Sequence, residues 1–452
     1  MIFHQEFDEI IIGQLRSVGA GRPKAFPAAR ILIGQQAGQI RKRGYHSMIY
    51  SDFKGLKLSR LGFGCMRFAT DPDTGEIIQE KVNSMFDAAI AAGVNYFDTA
   101  YPYLGGNSEI AMAKALEKYP RESYYLADKF PGHSLPGPVD NIALFNVSLK
   151  KCQTDYFDFY LMHNVTEWSV KIYESEEYHI IPDLVRLRDE GKIRHLGFSF
   201  HGGTALLEEF LTRYEGLSEF VQIQCNYLDW TLQDAKKKYD IITKHGLGVW
   251  VMEPLRGGKL AVLPEEDHAK LAALRSASAA GEAGAAEPSD ASYAFRYLMQ
   301  YPNIKVILSG MNEVFQVEDN LATFAEEKLL APEEESVLYE IAEGMKSGVP
   351  CTACRYCCAG CPVGLDIPYL IECYNSYKVS LNLTSSMRID GLDEDKRPSA
   401  CIGCGQCAHA CPQGIDVPAV MKELDKLYTG APKWADASKG RQESIRRDLG
   451  MN

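Results

Sequence analysis

The chain has 452 residues, 46% hydrophobic and 24% charged, the balance of a globular protein with room for about three ordinary domains or one large barrel with an appendage. Its 48 Lys and Arg against 60 Asp and Glu leave a net charge of −12, which repels phosphate backbones and anionic lipid, so no nucleic acid and no membrane are expected as partners. No stretch approaches the roughly 18 apolar residues of a membrane span and the first residues lack a leader-like pattern, so a cytoplasmic location is expected.

Residues 1–47 carry seven Lys or Arg and three acids, a net +4 against −16 for the rest. Their short apolar runs have no sustained period, and the segment reads as a disordered extension or a mis-assigned start upstream of Met48. From Met48 a short apolar run, a turn and an amphipathic helical stretch recur. The runs are Leu61–Cys65, Asn95–Ala100, Tyr124–Phe130, Phe157–His163, His195–Phe200, Phe220–Asn226, Leu247–Glu253 and Lys305–Gly310. Eight apolar strands alternating with helices predict an α/β fold, a closed (β/α)8 TIM barrel over residues 48–330. The doubly wound sheet is the alternative, but Leu61-Gly-Phe-Gly-Cys65 continues into Met66 and Arg67 instead of a third glycine opening a helix. Ser276–Pro288, rich in Ala, Ser, Gly and Glu, reads as a solvated helix and loop. Residues 331–348 read as an acidic helical connector.

Chemistry in such a barrel sits where strands end. Asp98 closes the second strand, Lys129 the third and His163 the fourth, while Tyr103 lies five residues past Asp98. These four read as a catalytic set for C=O reduction. Lys129 shifts Tyr103 toward a workable acidity, Asp98 holds Lys129, and His163 orients the carbonyl oxygen.

Of 13 cysteines, ten lie between Cys351 and Cys411, crowding that points to metal rather than disulfides. Cys65, Cys152 and Cys225 sit in or beside apolar segments and read as buried thiols, and Cys373 as a packing residue. Cys351, Cys354, Cys357 and Cys361-Pro362 are repeated fifty residues later as Cys401, Cys404, Cys407 and Cys411-Pro412. This is the cysteine run of bacterial ferredoxins, in which three thiolates hold one [4Fe–4S] cube and the fourth crosses to the other. The crossing rule gives Cys351, Cys354, Cys357 and Cys411 to one cluster and Cys401, Cys404, Cys407 and Cys361 to the second. Cys358 competes locally with Cys357, and the repeat decides for Cys357, because position 408 is alanine. Structural zinc is the weaker alternative. The fifty-residue offset and the helical patterns around it resemble the all-helical dicluster ferredoxin module, over residues 349–430. Residues 431–452 are left as a C-terminal tail.

The segment Asp98-Thr-Ala-Tyr-Pro-Tyr103 with Gly105, Ser108 and Glu109, together with Lys129 and His163, resembles the aldo-keto reductase family, in its subfamily with a C-terminal dicluster domain. The resemblance implies a barrel that binds NADP or NAD extended across the strand ends. Residue by residue it assigns Ser199, Gln222 and Asn226 to the nicotinamide side, and Pro254, Leu255 and Gly257 to the loop over the pyrophosphate. Gly310, Gln316 and Asn320 fall to the adenosine side. Ser309–Gln316 offers no positive charge for a 2′-phosphate, so the choice between the two cofactors stays open. The expected function is an NAD(P)H-dependent carbonyl oxidoreductase for a small aldehyde or ketone, with two [4Fe–4S] clusters linking it to a ferredoxin or other redox protein. The alternative is an iron–sulfur electron-transfer or redox-sensing protein whose barrel serves for nucleotide binding or docking.

Overall fold

The computed structural model describes residues 48–278, 288–346, 348–379 and 383–451. The expectations for residues 1–47, and for most of Ser276–Pro288, lie outside them. A two-stranded antiparallel hairpin comes first, β1 (Tyr50–Phe53) and β2 (Leu56–Ser59), followed by eight parallel strands. These are β3 (Leu61–Gly64), β4 (Tyr96–Asp98), β5 (Tyr125–Phe130), β6 (Phe157–Val165), β7 (Ile193–Phe200), β8 (Phe220–Gln224), β9 (Gly248–Met252) and β10 (Ile304–Gly310). They close in the order β10-β3-β4-β5-β6-β7-β8-β9. All eight expected runs are barrel strands, with ends shifted by at most two residues. The hairpin was not anticipated.

Side chains alternate along each strand, so every second residue points inward. The inward cluster contains Tyr96, Ala127, Phe159, Leu161, Phe220, Trp250, Val306 and Leu308. Phe53 of the hairpin plugs the N-terminal end against Phe159 and Trp250, with ring centroids 6.0 and 4.9 Å away. Gly248 makes room for the Phe53 and Trp250 rings, and Gly197 for Phe220. The outward residues of the same strands, such as Phe63, Phe97 and Phe198, belong to a second core under the surrounding helices.

Several helices start where the sequence supplies a cap. Asp140 accepts from Ala143 N at 2.9 Å ahead of the helix Asn141–Lys151, and Ser289 accepts from Ser292 N at 3.1 Å ahead of Asp290–Met299. The connector is the helix Pro332–Met345, tied to the barrel by Arg296, which pairs with both carboxylate oxygens of Glu334 at 3.0 and 2.6 Å. Beyond it, Ile367–Val379 and Val417–Gly430 pack together around a separate small core.

Residues 431–452 do not trail away. Trp434–Asp448 forms a helix lying on the C-terminal end of the barrel, against Tyr103–Gly106 and Gly132–Ser134, and its Ile445 is buried in the outer barrel core. Its last turn is pinned by Tyr101, whose hydroxyl donates to Asp448 Oδ2 at 2.7 Å, and by Lys151 at 3.0 Å. Among the described residues no helix is long and apolar enough to cross a membrane.

A β-carbon on Gly197 would sit 2.6 Å from the Phe220 carbonyl oxygen. Gly197→Ala is therefore expected to cost about 1–3 kcal/mol by overpacking, read as a lower midpoint in urea unfolding; Gly216→Ala, with nothing near, controls for glycine loss at a left-handed surface turn.

Candidate active site and cluster cradles

The inward rows stay apolar until their last positions, where they turn polar. Asp98 follows Tyr96, Lys129 follows Ala127, His163 follows Leu161, Ser199 follows Gly197 and Gln222 follows Phe220, each one inward step on. The β4–β5 register sets Asp98 opposite Ala127, so Lys129 rises one step above it and its ammonium reaches back. Lys129 Nζ donates to Asp98 Oδ1 at 2.5 Å and to the Thr99 carbonyl at 2.6 Å, with its side chain fully enclosed. Gln222 Nε2 donates to the other Asp98 oxygen at 3.3 Å. Tyr103 sits with its ring centroid 5.1 Å from Lys129 Nζ and edge-on to the His163 ring at 5.7 Å. The four residues expected from sequence are thus brought together.

Segment 98–109 is shaped by its other motif residues. Ser108 Oγ donates to the Cys65 carbonyl at 2.7 Å and lies 2.9 Å from Thr99 Oγ1, joining the ends of β3 and β4. Leu104 and Gly105 take left-handed conformations that turn the chain back into the helix Ser108–Leu116.

Electrostatics refine the expected division of labour. Burial pushes the Tyr103 hydroxyl above the ordinary tyrosine value, and the Lys129 charge pulls it only part of the way back. Tyr103 therefore holds its proton at neutral pH, an acid rather than a phenolate, with burial opposing the expected pull of Lys129. Burial also pushes Asp98 up against the pull of Lys129, while Lys129, which burial alone would lower, is held above its usual value by Asp98 and Tyr103. His163 is driven well below the usual histidine range by burial and by the neighbouring His133, so it is neutral.

The residues assigned to a nucleotide divide into two groups. Ser199 Oγ is enclosed and unpartnered, an orphan that fits a donor or acceptor arriving from outside the chain. Asn226, Gln316 and Asn320 are committed within the fold. Asn226 accepts from Leu228 N and Asp229 N and donates to the Glu253 carbonyl at 3.0 Å, fixing the start of loop 254–258. Gln316 caps its own helix by accepting from Asn312 N and Glu313 N, and Asn320 donates to Ser309 Oγ at 2.9 Å. In the loop after Pro254 and Leu255, Arg256, Gly257 and Gly258 all have positive φ, and Arg256 is buried against Asp229 with Nε and Nη2 unpartnered. Positive charge reaches the Gly310 segment from elsewhere in the chain. Arg67 lies beside Gly310 and pairs with Glu253 at 3.2 Å, and Lys81 pairs with Glu313 at 2.5 Å.

Sequence reasoning passed over three mouth residues: His133, Trp434 and Arg441. The His133 ring stands 4.6 Å from that of His163 and 4.8 Å from that of Trp434. Arg441 Nη1 donates to His133 Nε2 at 3.3 Å. No sequence signal marks Trp434 and Arg441, because a surface-like helix becomes part of the mouth only when it docks, and His133 lies just past Phe130 in Gly132–Ser134.

In the C-terminal domain the cysteines are free thiols arranged around two hollows. One is lined by Cys361, Cys401, Cys404 and Cys407; the other by Cys351, Cys354, Cys357 and Cys411. Cys358 and Cys373 line neither. Each set is three thiols of one motif and the last thiol of the other, and the donor set fits a cube held by four thiolates. Ala353 and Arg355 in the first motif, and Gly403 and Gly405 in the second, share the same left-handed conformations that wrap the chain about each hollow.

A model described as the aldo/keto reductase family matches residues 60–341, and one described as a 4Fe-4S dicluster domain matches 350–415. An L-galactose dehydrogenase of Arabidopsis thaliana is 29% identical over 305 residues, 63% of this chain and 89% of that one. A Glycine max protein named "Probable aldo-keto reductase 1" is 26% identical over 213 residues, 45% of this chain, and the match spans only 58% of the soybean protein. Among solved structures, an aldo-keto reductase from Bacillus halodurans in its holo form aligns with a TM-score of 0.50 at 24% identity, covering 65% of this chain and 96% of that one. The thermostable aldo-keto reductase Tm1743, in complex with the inhibitor epalrestat, aligns at 0.51 and 24%, covering 65% and 100%. These two likenesses show a common fold.

Cys404→Ala is expected to lose about half the iron of anaerobically purified protein, with Cys358→Ala losing none, each read by iron analysis. Unchanged iron in Cys404→Ala would refute the ligand sets.

Proposed function

The chain belongs to the aldo/keto reductase family and carries a 4Fe-4S dicluster domain, and we propose that it is an NAD(P)H-dependent carbonyl reductase whose two [4Fe–4S] clusters exchange electrons with a redox protein. The observation that carries the reading is the enclosed set of Tyr103, Lys129, Asp98 and His163 at the strand ends.

A nicotinamide bound across this end would supply the hydride for the carbonyl carbon. Ser199 and Gln222 would hold its carboxamide side, loop 254–258 would take the phosphates, and Arg67 would supply positive charge next to Gly310. Tyr103, kept protonated by its burial, gives its proton to the carbonyl oxygen, and Lys129 is the neighbouring charge that stabilises the phenolate left behind. Asp98 keeps Lys129 charged and in position through its 2.5 Å contact. Neutral His163 polarises the same oxygen by hydrogen bonding rather than by charge.

When bound, each cluster passes one electron at a time. Cys354 and Cys404, one in each hollow, are exposed, and Tyr356 and Ile402 beside them are 67% and 68% accessible. Both cluster edges therefore meet solvent, where a ferredoxin-sized carrier can approach.

Tyr103→Phe is expected to lower kcat for aldehyde reduction by about 10²-fold or more while leaving the cluster EPR signal of the reduced protein intact; retained turnover removes Tyr103 from the mechanism. In the native protein the alkaline limb of the reductive kcat/KM profile, where Tyr103 loses its proton, belongs above the ordinary tyrosine value of about 10, because the Tyr103 pKa is raised. A fall near pH 7 would contradict its role as the acid.

A further inference from the structure

The helix Trp434–Asp448 brings one positive charge to the barrel mouth without bringing its counterion. Arg441 lies with its guanidinium 4.7 Å above the Trp434 ring and donates to His133 Nε2 at 3.3 Å. His133 is the neutral partner that this bond requires: its Nδ1 is bonded to the His163 carbonyl, and its burial and the nearby Arg441 hold it well below the ordinary histidine range. Among the described residues no carboxylate pairs with Arg441. On its own helix, Asp436 pairs with Lys439 at 2.9 Å, Asp448 pairs with Lys151 at 3.0 Å, and Glu443 is exposed. Across the mouth, Asp98 is taken by Lys129 at 2.5 Å.

Arg441 is half-buried, and with a neutral imidazole as its one hydrogen-bond acceptor among the described residues it keeps donors open for a ligand to complete. Its planar fork matches a carboxylate in two parallel hydrogen bonds. Among the described residues, Lys129 and Lys151 beside this helix are already neutralised by their own acids, whereas Arg441 is not, and one such charge suits a monoanion rather than a phosphate dianion. The helix that carries Arg441 packs directly on Tyr103–Gly106 and on Gly132–Ser134, placing it beside the proton donor rather than on the nucleotide side.

We propose that Arg441 is a substrate-binding residue that takes the carboxylate of a small oxo acid, an aldehyde or ketone with a carboxylate a few atoms from its carbonyl. Trp434 forms the floor under the guanidinium and His133 fixes its direction. The proposal rests on the reading of the barrel as a carbonyl reductase and adds the class of carbonyl. It also gives the cluster-bearing half of the chain a part in choosing the substrate, since Arg441 lies more than a hundred residues beyond the last barrel strand.

The test uses the full-length protein with its iron intact. The probes are 4-oxobutanoate and its methyl ester as paired substrates with NADPH and NADH, and butanoate and butanamide as non-reacting ligands in calorimetric titrations with NADP⁺ and with NAD⁺ present. The native protein is expected to favour the acid over the ester by about tenfold or more in kcat/KM, the size of a charge-assisted hydrogen bond, and to bind butanoate but not butanamide. Arg441→Gln should bring the acid-to-ester ratio toward one and abolish the butanoate titration. Arg441→Lys, keeping charge without the fork, should fall between, and iron content checks that both variants fold. An ester reduced as well as the acid by the native protein overturns the proposal, and so does butanoate binding that survives Arg441→Gln. If butanoate binding depends on Arg441 while neither aldehyde is reduced, the anion site stands and the reductase reading falls. Reduction of both aldehydes without preference does the reverse.

Discussion

The candidate site depends on keeping one ammonium group charged inside a barrel. Lys129 has no exposed surface, and an isolated charge there would cost several kcal/mol after relaxation. The fold offsets this through adjacent strands: Asp98 and the Thr99 carbonyl, both at the end of β4, take two of the three donors of Lys129 on β5. The remaining side of the ammonium has the Tyr103 ring as its neighbour. Loss of Asp98 would leave a buried charge with one neutral acceptor, so the pair is structural and chemical at once.

The same alternation that buries Lys129 also decides where chemistry can occur. At the N-terminal end the inward positions hold Phe159, Phe220 and Trp250, sealed by Phe53 and accommodated by Gly197 and Gly248. A packed aromatic plug leaves no room for a ligand. At the opposite end the inward residues are Asp98, Lys129, His163, Ser199 and Gln222, and the loops rather than the strands close over them. Fixed strand register places these groups to within a step, and the loops are free to differ in what they admit.

Much of this was legible in the sequence because it is written in local periods. Eight apolar runs at regular intervals announce a barrel, and polar residues at their ends announce its mouth. The cysteines announce their cradles by repeating, and the exchange of Cys361 and Cys411 between hollows follows from the motif alone. What escaped has no local signature. The hairpin Tyr50–Ser59 has four-residue strands that resemble any polar turn region, and its value lies in where Phe53 lands. The amides of Asn226, Gln316 and Asn320, expected at a nucleotide from the resemblance, also hold loops and caps in place, a role with no local signal. Arg67 and Lys81 come to the Gly310 segment across the fold, from far along the chain. The net direction of the Tyr103 shift also required the structure, since desolvation is a property of what surrounds the ring.

The barrel and the cluster domain are joined by more than a connector. Trp434 N donates to Asp390 Oδ2 at 3.2 Å on the cluster side, and the same helix ends at Asp448, held by Tyr101 and Lys151 on the barrel side. Lys259, just past loop 254–258, donates to the Val379 carbonyl, and Gln233 bonds Ser376 at 3.3 Å. Cys357 and Cys407 are themselves part of the apolar core that supports Ile367–Val379 and Val417–Gly430. The order of that core and the position of the mouth helix are therefore parts of one packed assembly. The barrel mouth and the cradles are thereby coupled mechanically: the helix makes the shape of the mouth depend on the integrity of the cradles.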